Sequence, residues 1–181
     1  MNYDKLSKEV SYALRHAPWE YELEMDEEGW VLLKQLLDAL NSCSEWKDIT
    51  QDDVIDMIES SEKRRHEILN GRIRAYYGHS VPNKILKKEM NPPEILYHGT
   101  SKRFLAAIKE KGLLPQGRNY VHLSQDIETA IQVGKRRGEH PVILTIQAQQ
   151  AYTDDIKFYL GNEKVWLADS VPTQYIGIKE V

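Results

Sequence analysis

The sequence predicts an α+β protein in two parts: a helical N-terminal part that ends in a basic hairpin, then a mostly β part. Three observations carry this. Apolar residues recur at helical spacing in three stretches between residues 3 and 60. Asn70-Gly71, the dipeptide of a two-residue hairpin turn, stands between two short runs rich in strand formers. From Ile95 onward, short apolar runs alternate with turn residues and two further helical stretches.

Taken in order, Tyr3 to His16 reads as a helix, with Leu6, Val10, Ala13 and Leu14 on one face. Pro18 forbids its easy continuation. Asp26 to Gly29 is a turn, and Trp30 to Leu40 reads as a second helix on Val31, Leu32, Leu36, Leu37 and Leu40. Thr50 caps a third, with Asp52 and Asp53 suited to its positive first turn. That helix runs to about Ser60 on Val54, Ile55 and Ile58. Arg65–Leu69 and Arg72–Tyr77 are the arms of the hairpin. Three helices followed by a basic hairpin is the order of a winged-helix domain, so residues 1–90 are expected to form one such lobe. Such domains often bind nucleic acid, although fold alone does not establish it.

Val81 to Pro93 holds three prolines and three lysines and reads as a connection. Residues 94–181 are expected to form the second lobe. Ile95 to Thr100 is a strand breaking at Gly99. Ser101 to Lys111 is a helix capped by Gly112. Tyr120 to Ser124 is a short strand, and Asp126 to Arg137 a helix with Asp126 as N-cap and Gly138 as its stop. Pro141 to Ala148 is a strong strand. Ile156–Leu160, Lys164–Leu167 and Tyr175–Ile178 complete the lobe.

The totals exclude several classes. An apolar fraction of 41% suits a packed core and not a disordered chain. A net charge of −4 argues against a protein that coats nucleic acid non-specifically. The distribution says more. Glu20 to Glu62 holds fourteen acidic residues and two lysines, whereas Lys63 to Lys88 holds eight basic residues and one acidic one. That polarity points to one focused anion site beside an acidic face. Cys43 is the single cysteine, so no disulfide framework or cysteine-rich zinc site is expected. With no signal-like run and no stretch of about 18 apolar residues, the chain reads as soluble, cytoplasmic and without a membrane partner. The expected state is a monomer.

His98 and His122 each lie in a short strand and are each followed within two residues by a hydroxyl, Thr100 and Ser124. That pairing moves both from structural histidines toward a ligand site. No carboxylate or cysteine stands at ligand spacing to them, so no metal is expected. The sequence lacks a P-loop and a GxGxxG motif, so a nucleotide would need another fold. Arg15-His16 ends the first helix. One basic residue there suits the helix dipole, which leaves the pair unexplained. Arg65 opens the hairpin, and Arg118 lies in Gly117-Arg118-Asn119. An arginine fork grips two phosphate oxygens at once. Each of these arginines also reads as a surface residue, and charge does not single them out.

The segments LRHAP, KRRH, IRAYYGHS, LYHGT, GRNYVHLS, VGKRRG and VWLADSVP follow in one order over nearly the whole chain. Together they resemble the NAD-dependent RNA 2′-phosphotransferase family. The resemblance implies a winged-helix lobe joined to an ADP-ribosyltransferase-like lobe, with NAD as consumed co-substrate and no metal. It implies removal of an internal 2′-phosphate from RNA, of the kind left at a tRNA splice junction. The 2′-phosphate would attack the nicotinamide ribose, and the neighbouring ribose hydroxyl would then attack phosphorus. Products would be 2′-hydroxyl RNA, nicotinamide and ADP-ribose 1″,2″-cyclic phosphate.

Carried onto this chain, the family's catalytic set falls on Arg15, His16, Arg65 and Arg118, with Arg64 adjacent to Arg65. The resemblance implies phosphate binding by the three arginines and a proton or hydrogen bond from His16 to the departing 2′-oxygen. The NAD signature falls on His98, Gly99, Thr100, His122, Leu123 and Ser124. Val165 stands where many ADP-ribosyltransferases hold a catalytic glutamate. Arg74, His79, Ser80 and Lys84 are the expected RNA contacts. The chain departs from the family at Tyr76-Tyr77, commonly Asn-Gln, and at Ala168, commonly Thr. Two other classes stay open on sequence: an ADP-ribosyltransferase that stops at the adduct, and a non-catalytic winged-helix binder.

Overall fold

The computed structural model describes residues 1–43, 45–136 and 138–179. It is a mixed α/β structure whose two sheets are antiparallel throughout. The chain divides into two compact units, Met1–Leu86 and Lys87–Val181.

The first unit opens with α1, Tyr3–Arg15. Asn2 caps it by accepting from the Lys5 N–H, and Leu6, Val10, Ala13 and Leu14 are buried along one face. His16 is the C-cap, so Arg15 and His16 are fixed where the helix stops before Pro18. The second predicted helix begins too early. Val31–Leu32 is β1, and α2 covers Leu33–Ser42. The reason is tertiary: Val31 and Leu32 pair with Ile73 and Arg72, and the Leu33 N–H donates to the Gly71 carbonyl. Edge pairing overrides helical periodicity there. The third helix, α3, Gln51–Glu59, carries a full capping box between Thr50 and Asp53.

β2 (His66–Leu69) and β3 (Arg72–Ala75) form the hairpin. Asn70 and Gly71 have φ of 51° and 72°, the two positive values a type I′ turn demands. The sheet runs in the order β1-β3-β2. Its inner residues Val31, Ile73 and Ala75 join the helical face residues in one apolar core.

In the second unit the sheet order is β7-β8-β5-β4-β6-β9. β4 is Leu96–Thr100 and pairs along its length with β6, Val142–Ile146. It does not break at Gly99, which pairs with Ile143. Ser101–Lys111 is not one helix: Lys102–Phe104 is a 3-10 turn and α4 covers Leu105–Lys111. Gly112, at φ 75°, ends α4 as expected. β5 is Val121–Ser124, and α5 is Ile127–Lys135, with Asp126 accepting from the Thr129 N–H. Arg137, the expected end of that helix and part of the VGKRRG segment, lies outside the described residues. The strand expected to reach Ala148 stops at Ile146, and Ala148–Thr153 is a helix, α6. Ala148 and Ala151 face inward from it. β7 (Phe158–Leu160), β8 (Val165–Ala168) and β9 (Ile176–Lys179) complete the sheet. Leu96, Val121, Leu123, Leu144, Ile146, Phe158 and Trp166 form a second core. The Met90 N–H donates to the Phe158 carbonyl and Glu89 bridges to Tyr159, so the end of the connection packs with this unit.

Candidate active site

In the first unit, α1 and the start of the hairpin bring Arg15 and Arg65 to one buried imidazole. His66 is 3% exposed, and its Nε2 lies 2.9 Å from Ser11 Oγ. Burial, then the charges of Arg15 and Arg65, push its pKa down to about 3. His66 is therefore neutral at physiological pH, and both guanidiniums act on it. The Arg15 guanidinium sits 5.1 Å over the Tyr77 ring. Arg65 Nη1 donates to Ser61 Oγ at 3.0 Å. The neighbouring Arg64 is exposed, and its charge acts on Tyr76. His16 lies next to this cluster in sequence, its Nδ1 2.7 Å from Ser80 Oγ.

The expected RNA contacts fare differently. Arg74 is engaged internally: its Nε donates to Glu67, and its guanidinium lies 4.4 Å over the Trp30 ring. His79 is 3% exposed. Ser80 is exposed but bonds the end of α1, its N–H donating to the Arg15 carbonyl at 2.8 Å. Lys84 is exposed.

In the second unit, Arg118, His122 and His98 form a chain. Arg118 Nη1 and His122 Nδ1 are 3.2 Å apart. A guanidinium only donates, so His122 Nδ1 is the acceptor and its ring is the neutral Nε2–H form. His98 Nδ1 donates to the His122 carbonyl at 2.9 Å. β4 and β5 share one ladder pair, Tyr97 with Ser124, so this side chain bridges the two strands. Thr100 and Ser124 are buried, at 3% and 5% exposure. Val165 pairs with Ser124 in register.

Two expected members have other surroundings. Leu123 is part of the apolar core, on the strand face opposite His122 and Ser124. A Cβ on Gly99 would stand 1.9 Å from the Ala130 carbonyl oxygen, so this glycine lets α5 lie against β4. The sequence reading missed Ser11, Ser61 and the pairing role of His66. Ser11 and Arg15 are one helical turn apart, which is the signal that would have found the first.

The residues of the second unit fit a polar dinucleotide. Ser101 Oγ is buried with no hydrogen-bond partner, directly after the buried Thr100 hydroxyl. An apolar hollow lined by Leu105, Ile108, Leu144 and Ile176 contains none of the expected site residues. Among the described residues, no cluster of three or more His, Cys, Asp or Glu is placed to hold a metal. No helix among them is long and apolar enough to cross a membrane.

One unit thus sets two arginines whose charges act on a buried histidine, and the other sets buried hydroxyls in the strands that carry His98 and His122. The chain belongs to the RNA 2′-phosphotransferase, Tpt1 / KptA family, whose model matches residues 2–170. It is 61% identical over 176 residues to a probable RNA 2′-phosphotransferase of Acetivibrio thermocellus, covering 97% of each chain. A protein of the same name from Bacillus thuringiensis is 58% identical over 178 residues, covering 98% of this chain and 96% of the relative. One from Pyrococcus horikoshii is 40% identical over 172 residues, covering 95% and 96%.

Proposed function

We propose that this chain removes an internal 2′-phosphate from RNA with NAD as co-substrate, giving 2′-hydroxyl RNA, nicotinamide and ADP-ribose 1″,2″-cyclic phosphate. The reading rests on the family membership. The observation that carries it is the pair Arg15, at the end of α1 over Tyr77, and Arg65, at the start of the hairpin and bonded to Ser61, whose charges both act on buried His66. Two fixed cations beside an uncharged ring suit a phosphate dianion, and lysines would not give the same two-pronged grip. The first unit is read as a winged-helix lobe that holds the RNA phosphate, and the second as an ADP-ribosyltransferase-like lobe that holds NAD.

NAD would supply an activated ribose carbon as nicotinamide departs. The chain's residues do the rest. Arg15 and Arg65 orient the phosphate and, with Arg118, offset charge that develops on its oxygens. His16 donates a proton toward the departing 2′-oxygen. His98 and the hydroxyls of Thr100, Ser101 and Ser124 bind sugar hydroxyls of NAD, with His122 held by Arg118 beside them. Val165 has no group to act as base, and none is needed: a phosphate monoester is already anionic, with a second pKa of about 6. Gly99 and Leu123 serve this site through packing. Of the expected RNA contacts, Ser80 and Lys84 are exposed, and Lys84 carries the charge that suits the backbone of a bound RNA. Neither alternative class gains support, since the relatives quoted are named phosphotransferases.

Nicotinamide release tests the reading. It should require a short RNA bearing an internal 2′-phosphate, and Arg15→Ala should abolish it. Equal release with the same RNA lacking that phosphate would overturn the proposal.

A further inference from the structure

Ser80 is the residue whose position the sequence explains least well. It belongs to IRAYYGHS, a segment expected to touch RNA. Two bonds tie it to the end of α1 instead: its N–H to the Arg15 carbonyl at 2.8 Å, and its Oγ to His16 Nδ1 at 2.7 Å. The residue before it is an anchor. His79 is buried, and a Cβ on Gly29 would stand 3.2 Å from its Nε2. Gly78, at φ 90°, makes the turn that lets the chain enter this way.

We propose that Ser80 is the positioning residue of His16: it accepts Nδ1–H and so directs the proton-donating work to Nε2. The proposal rests on the reading of His16 as the acid. A ring that gives up its proton from Nε2 is left as the Nδ1–H tautomer. That is the tautomer a Ser80 acceptor favours, so one bond to Nδ1–H can hold the ring with Nε2 aimed the same way before, during and after the transfer. The backbone bond to Arg15 survives Ser80→Ala, and Ser80 is exposed, so the substitution removes the imidazole's partner and leaves the core intact.

The test is single-turnover dephosphorylation at saturating RNA and NAD, with Ser80→Ala, Ser80→Thr, His16→Ala and the Ser80→Ala/His16→Ala double variant. Ser80→Ala should lose roughly tenfold or more in rate, the scale of one charge-assisted hydrogen bond, with RNA affinity unchanged. Ser80→Thr, which keeps the hydroxyl, should recover most of the loss. Ser80→Ala should cost nothing further once His16 is alanine. Additive losses, or a full rate with weakened RNA binding, would overturn the proposal. A second readout needs no turnover: ¹⁵N NMR of the neutral His16 ring should show mainly the Nδ1–H tautomer, shifting toward Nε2–H in Ser80→Ala. Identical tautomer populations in the two proteins would also overturn it. An inactive wild type sinks the functional reading alone, because the tautomer still decides the role of Ser80.

Discussion

Gly99→Ala separates a packing role from a ligand role at one position. The added Cβ would stand 1.9 Å from the Ala130 carbonyl oxygen and 2.9 Å from the Gly134 backbone N. Both belong to α5, so no flexible side chain can swing aside. Van der Waals contact needs more than 3 Å, so α5 must move by over an ångström from β4. Overpacking of this kind costs about 1–3 kcal/mol, and rigid backbone on both sides puts this case at the upper end. In a domain of this size each kcal/mol shifts Tm by about 4–8 °C. Calorimetry of the full chain without NAD should therefore show the second unit's transition lowered by roughly 10 °C or more. An unchanged transition with weakened NAD binding would refute the packing account and make Gly99 a ligand residue.

Arg65→Lys keeps the charge and loses the two-pronged grip, so its rate should fall roughly tenfold or more, since a charge-assisted hydrogen bond is worth about 1.5–3 kcal/mol. Arg64→Ala should stay near wild type in the same assay, and the reverse pattern would move the essential arginine by one. His66 has a folded pKa of about 3 against an ordinary 6.5, so between those values the unfolded chain binds a proton that the native chain refuses. Stability should then fall as pH drops through that window, by up to about 1.4 kcal/mol per pH unit. Urea unfolding at pH 7 and pH 5 should show His66→Gln less acid-sensitive than wild type, and equal sensitivity would contradict the account. Glu163 is an exposed residue of the β7–β8 turn. Glu163→Gln should change single-turnover adduct formation by less than about tenfold, below the 10²–10⁴ of a general base. A hundredfold loss with NAD binding intact would make Glu163 a working base.

The elements whose signals are local were legible in the sequence. Asn70-Gly71 fixed its hairpin, Thr50 with Asp53 its helix start, and Asp126 the start of α5. What long-range pairing decides was not. Trp30–Leu32 has helical periodicity, yet β3 recruits Val31 and Leu32 into a strand. Gly99 looked like a strand break because the approach of α5, some thirty residues on, leaves no trace in its neighbours. At the site, residue types were legible and their partners were not. Arg74 reads as an RNA contact until Glu67 and Trp30 are seen around it. His79 reads as a contact residue until its burial is known. Arg65 is the sequence neighbour of His66, but Arg15 is some fifty residues away, and only the fold brings its charge to act on that histidine.

The central claim is tested most directly by following the phosphorus atom. A short RNA with an isotopically labelled internal 2′-phosphate is incubated with the protein and NAD, and the products are separated. The account predicts that the label leaves the RNA and appears in ADP-ribose 1″,2″-cyclic phosphate, one nicotinamide released per phosphate lost. Label retained on the RNA as a stable ADP-ribosyl adduct, or released as inorganic phosphate without NAD, would contradict it.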